Sequence, residues 1–113
     1  MLKNISDGSS LDNVCDLVEE RIEQDEIGNE IGVRNSRTVF CAELPTSRAE
    51  FFQAGQSGIR AECVLLIDSE EYRDERIASY GGRTFDIYRT YPKSNGMTEL
   101  YLAERSGNQH ERL

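Results

Sequence analysis

The stretch Arg76-Ile77-Ala78-Ser79-Tyr80-Gly81-Gly82-Arg83-Thr84-Phe85-Asp86-Ile87-Tyr88-Arg89-Thr90-Tyr91 decides the fold. Apolar and polar side chains alternate on either side of Gly81-Gly82, the period of a strand with one covered face. A two-residue connection between antiparallel strands needs positive φ at its central positions, which glycine supplies without a Cβ clash. The stretch therefore reads as a hairpin, residues 76–80 with residues 83–91. On its second strand Phe85, Ile87 and Tyr91 share a face, opposite Asp86, Tyr88 and Thr90.

Downstream, Asn95-Gly96 marks a further turn, and residues 97–105 return with Leu100 and Leu102 on one side. Upstream, residues 62–69 carry Cys63, Val64, Leu65, Leu66 and Ile67, a run suited to a strand covered on both faces. Tyr72, Tyr80, Tyr88, Tyr91 and Tyr101 all fall in this half. They are expected to pack at a barrel rim with a wet hydroxyl, with a subunit interface as the second possibility.

The first half is less regular. Residues 14–24 space Val14, Val18 and Ile22 among charges; that spacing would also suit a helix, and the stretch is read as a strand. Residues 25–29 form a turn, with Gly28 free to take positive φ. Residues 30–35 and 38–44 follow as a strand pair or one bent strand. In the second piece Phe40, Ala42 and Leu44 share a face, and Pro45 ends it. Residues 46–56 predict a helix. Ser47 as N-cap with Glu50 three residues later makes a capping box, and Gly55 or Gly58 stops the helix. About three turns cannot be stable alone, so the helix must dock. Phe51 and Phe52 either plug the end of the core, the commoner arrangement, or are offered to a partner.

The expected architecture is mainly β: a small antiparallel β-barrel or sandwich of about six strands, with one short α-helix inserted after the early strands. Residues 1–12 read as a flexible arm, residues 13–105 as the barrel domain and residues 106–113 as a flexible tail.

The chain has 113 residues, with 13 Lys and Arg against 21 Asp and Glu, a net charge of −8. Acidity argues against a protein that holds nucleic acid by neutralising phosphates. At this length roughly 65% of the unfolded surface is buried, a modest core that neighbouring subunits could supplement. Residues 1–12 are polar with no apolar signal core, and no window approaches the ~18 apolar residues of a membrane span. Cys15, Cys41 and Cys63 lie 26 and 22 residues apart, without a close pair, and read as small buried hydrophobes in a reducing cytoplasm. A zinc site of these three with His110 is possible by count, but the cysteines sit in apolar runs rather than turns. No metal or cofactor is expected.

Catalysis is not expected either. His110 is the single histidine and lies in the tail, so a Ser-His-Asp or Cys-His arrangement is disfavoured. The glycines form neither a Walker loop nor a dinucleotide fingerprint. Glu19, Glu20, Asp25, Glu26, Asp68, Glu70, Glu71, Asp74 and Glu75 could by count include a glycosidase pair, but each lies in a polar stretch suited to solvated side chains.

The run Ser47-Arg48-Ala49-Glu50-Phe51-Phe52-Gln53-Ala54-Gly55-Gln56-Ser57-Gly58-Ile59, followed by an apolar strand, resembles the head-closure (head–tail joining, or stopper) proteins of tailed phages. The hairpin Tyr80 to Tyr91 is similar to that family's Y-x-G-x-x-Y-x-I-x-R pattern, and Glu99-Leu100-Tyr101-Leu102-Ala103-Glu104-Arg105 to its last strand. The likeness spans about residues 14–105, with departures at both ends.

This resemblance implies a structural virion component at the head–tail interface, made in the host cytoplasm, and not an enzyme. Such proteins assemble as rings of about twelve copies. Portal and adaptor proteins lie above, tail terminator or tail proteins lie below, and double-stranded DNA passes without specific binding. The ring closes the exit channel after genome packaging and docks the tail. The resemblance puts residues 45–60 at the channel, so Ser47, Glu50, Phe51, Phe52, Gln53, Gly55, Gln56 and Gly58 are the candidate channel or partner residues. Gly55 and Gly58 are the hinge candidates. The hairpin edges around Gly81-Gly82 and residues 93–96 (Gly81, Gly82, Asn95 and Gly96), with the flexible arm, are expected to meet adjacent rings. Roughly a hundred negative charges in a ring of a dozen would let DNA slide rather than grip it. The alternative is a monomeric acidic β-barrel binding module, prophage-encoded, mimicking nucleic acid by its charge; a weaker third is a glycan-cleaving enzyme.

Overall fold

The computed structural model describes residues 11–105; the tail, His110 and residues 1–10 of the expected arm lie outside the described residues. Six strands and one helix follow in the order β1 (Asn13–Gln24), β2 (Glu30–Leu44), α1 (Arg48–Gln56), β3 (Ala61–Asp68), β4 (Ile77–Tyr80), β5 (Arg83–Pro92) and β6 (Met97–Glu104), with a 3-10 turn at Ser69–Glu71. All pairings are antiparallel, and the sheet closes on itself in the order β1-β2-β3-β6-β5-β4. The mainly β architecture read from the sequence is thus present, with the helix in the β2–β3 connection.

Closure follows from strand chemistry. Cys15, Leu17, Val39, Cys41, Leu65, Ile67, Ala78, Phe85, Ile87, Leu100 and Leu102 alternate inward and form one buried cluster. β3 is covered on both faces, as its continuous apolar run predicts: Leu65 and Ile67 point inside. Leu66 packs outside with Leu11, Ala42 and Met97. Leu11, assigned to the arm by sequence, therefore belongs to the folded domain because it covers this outer cluster. Cys15 and Cys41 are buried, while Cys63 is half-buried. The neighbouring Cys41 thiol and burial push the Cys15 thiol up, and burial raises Cys63 to about 11.

Gly81 and Gly82 take φ of 61° and 81°, the double positive turn that a twisted two-residue hairpin demands. Gly28 and Gly96 occupy the same region, at 90° and 84°. Residues 30–44 form one strand rather than two.

Phe40, Ala42 and Leu44 of β2 share a face as read, and it is the outer one: Val39 and Cys41 face the core, and Phe40 stands 43% exposed across from Val14. One face assignment differs from the sequence reading. In β5, Tyr91 does not share the inner face of Phe85 and Ile87 but is 53% exposed. The register shifts between Ile87 and Arg89, so Tyr88 is an extra residue and every later side chain changes face.

Strand direction assigns the connections to two ends. The β2–β3 segment with α1 and the Gly81-Gly82 turn lie at one end; residues 25–29, 69–76 and Asn95-Gly96 lie at the other.

Candidate functional site

The sequence-predicted segment is a nine-residue helix, α1, with a built start and stop. Ser47 has extended backbone and its hydroxyl accepts from the Glu50 N–H at 3.0 Å, the expected N-cap. At the other end the Gly58 N–H donates to Gly55 O and the Ile59 N–H to Ala54 O, with Gly58 at φ 78°. This double bond pattern with a left-handed glycine fixes where the chain leaves the helix.

Half of the capping box is replaced by a longer-range contact. The Glu50 carboxylate points to β5, where Arg89 Nη2 donates at 2.6 Å and the Tyr88 hydroxyl at 2.5 Å. The bulge makes this possible, because it brings two successive residues of β5 onto the same carboxylate. The Arg89 guanidinium also lies 3.9 Å over the Tyr101 ring, which meets Tyr88 edge-on at 6.2 Å. Tyr101 donates to Glu99 at 2.7 Å, and Lys93 lies 3.8 Å from Glu99. Hydrogen bonding from Arg89, more than that from Tyr88, holds the Glu50 carboxyl below its ordinary range although burial opposes it. Burial and the bond to Glu50 push the Tyr88 phenol up.

The rest of α1 faces outward. Phe51 and Phe52 are 56% and 68% exposed, which overturns the reading that they plug the core. Only Ala54 and Glu50 are buried on the helix, so it is fastened by a polar anchor rather than by an apolar face. Gln53, Gly55, Gln56 and Gly58 are exposed, as are Gly81, Gly82, Asn95 and Gly96. The predicted segment and the Gly81-Gly82 turn thus share an end of the barrel, and Asn95-Gly96 is at the opposite one.

A second feature went unread in the sequence. β4 accompanies β1 only as far as the Val18–Ile77 pair, and β3 accompanies β2 only over Ala42–Leu44. Beyond Val18, β1 and β2 continue as a two-stranded ribbon reaching about 20 Å further. Ile22, Ile27 and Ile31 are 66%, 81% and 45% exposed on it. Arg21 bridges Glu19 and Glu23, and Arg34 pairs with Glu20 at 3.2 Å across the strands.

Of the acidic residues, Glu75 departs from the expectation of a solvated side chain. It is 6% exposed, paired with Arg37 at 2.8 Å and bonded by the Arg73 N–H at 2.9 Å. Asp74, at φ 63°, turns the chain to place it there. Asp25 and Asp68 accept backbone N–H groups in turns. Among the described residues no group of three or more His, Cys, Asp or Glu is arranged to hold a metal ion.

Comparison of the chain with protein-family models, curated proteins and solved structures finds no match.

Proposed function

We propose that this chain is a structural protein of the head–tail connector of tailed-phage particles. It would form a ring with copies of itself beneath the portal and adaptor, close the DNA exit channel after packaging, and dock the tail. The observation that carries this reading is a closed small barrel on which, among the described residues, large apolar side chains of α1 and the ribbon stand exposed, namely Phe51, Phe52, Ile22 and Ile31. Patches of this kind mark surfaces that meet another molecule. In this proposal residues 45–60 obstruct the channel sterically. The segment carries Arg48 and Arg60 as its cations, and Arg60 pairs with Glu104 at 3.3 Å, so the segment offers DNA little to grip. Gly55 and Gly58 are where the segment would bend, and the Glu50 anchor is what would hold it.

The test is to purify particles from cells carrying the gene and to image them. The polypeptide is expected to co-purify with portal-bearing particles as a ring. Removing it is expected to leave tailless heads that lose their DNA. Particles without the polypeptide, or infectivity that survives its removal, would overturn the proposal.

A second reading draws on the ribbon, whose residues 19–30 hold six carboxylates against one arginine. A monomeric, prophage-encoded module could present that charge as a mimic of nucleic acid. Capture of a DNA-binding host protein, released by added DNA, would favour it over the ring.

A further inference from the structure

We propose that the β1–β2 ribbon is the joint between copies of this chain. The outer edge of β2 in one copy would pair with the outer edge of β1 in the next. This deepens the ring reading and rests on it.

The argument begins with unpaired backbone. No described strand pairs with β1 over residues 19–24 on the side away from β2, nor with β2 over residues 30–34 on the side away from β1; further along, Arg37 of β2 meets Glu75 and Glu71 of the 69–76 connection. Each edge therefore presents a row of N–H and C=O groups that can template another strand. A two-stranded ribbon is marginal in water by itself, and three or more strands with a covered face are needed for stability. Exposed Ile22 and Ile31 lie on opposite faces of the ribbon, so a strand added at the edge would give side chains on either face a cross-strand neighbour.

Charge selects the occupant. Residues 19–24 carry Glu19, Glu20 and Glu23 against Arg21, while residues 30–34 carry Arg34 against Glu30, Arg37 further along being held by Glu75. Pairing β1 with β1 would set two strands, each with three glutamates against one arginine, side by side, and an excess of like charge destabilises a ladder. Pairing β2 of one copy with β1 of the next sets Arg34 beside a second glutamate-rich strand. Direction agrees as well: β1 and β2 are antiparallel, so repeating the pair keeps every neighbour antiparallel. Such a contact uses two different patches, the condition for a ring rather than an isolated two-fold dimer.

The test mixes two purified chains in a Cys63→Ser background, one carrying Ile22→Cys and the other Gly32→Cys. Ile22 and Gly32 face each other within a chain, and a Cβ at Gly32 meets nothing within 4 Å. With a short bifunctional maleimide at high protein concentration, the mixture is expected to cross-link about tenfold more than either chain alone. Arg34→Glu in both chains should abolish the product, and adding Glu20→Arg should restore it. A single chain carrying both cysteines serves as control, closing internally whenever the ribbon is folded. Internal closure without cross-links in the mixture would overturn the proposal, as would equal cross-linking by either chain alone. Because the readout uses no particles, it is independent of whether the chain co-purifies with portal-bearing particles.

Discussion

The inner and outer halves of the β1–β2 hairpin have the same backbone and one continuous register, yet they live in different solvents. At the inner half, Cys15, Leu17, Val39 and Cys41 are all at most 4% exposed. At the outer half, Ile22 and Ile31 are 66% and 45% exposed. The difference is the neighbouring strands: β4 and β3 close the barrel around the first half and stop before the second. Strand propensity alone therefore explains neither half. The inner half is stabilised by burial; the outer one relies on cross-strand pairs such as Glu20–Arg34, each contributing a few tenths to about 1 kcal/mol.

The sharpest way to break this comparison is to truncate one aliphatic side chain in each half. Leu17→Ala is expected to cost about 3 kcal/mol in urea unfolding, through lost transfer energy and a cavity in the barrel. Ile22→Ala should stay within about 0.5 kcal/mol, since solvent already surrounds it. Equal losses would mean that the ribbon folds as part of the core.

The anchor of α1 should lie between these extremes. Glu50→Gln keeps the shape but weakens the charge-assisted bonds to Arg89 and Tyr88. Because Arg89 is half-exposed, a cost of about 1 kcal/mol is expected, together with faster hydrogen exchange in Arg48–Gln56. Glu50 is held below its ordinary value, so its contribution is complete above the ordinary carboxylate pKa of about 4.3 and is lost as pH falls through the folded value. Wild type should therefore lose helix protection on acidification, and Glu50→Gln should lose much less. Identical pH profiles would remove the anchor from the explanation.

The smallest effect is expected at Phe52. Phe52→Ser should change stability by at most about 0.5 kcal/mol, because 68% of the side chain is already in water. A large loss in the isolated chain would show that the ring packs within its own domain, contrary to the contrast drawn between buried and exposed apolar residues.

Much of the fold was legible because local chemistry and tertiary structure agree. Gly81-Gly82, Asn95-Gly96 and Gly28 announce turns that need positive φ, and the run through β3 announces a doubly covered strand. The misread parts depend on partners distant in sequence. Alternation places Tyr91 with Phe85 and Ile87, and nothing local marks Tyr88 as an extra residue. Glu50 fits a capping box by spacing, but its carboxylate is claimed by residues 38 and 39 positions away. Helical spacing of Phe51 and Phe52 suggests a buried face, whereas the polar anchor fastens the helix by another side. Ile22 and Ile31 look like ordinary strand residues, because where β4 stops cannot be read from β1. Glu75 resembles its solvated neighbours until Arg37 arrives from β2.

The interior sulfurs give this domain a built-in clock. Alkylating reagents attack thiolates that they can reach, and Cys15 and Cys41 sit inside a closed wall of strands with the Cys15 proton tightly held. Their modification must wait for that wall to part, while Cys63, only partly buried, reports on the unopened state, slowed by its raised thiol pKa. The ratio of the two labelling rates therefore measures how often the native barrel comes apart, without any probe being added to the chain.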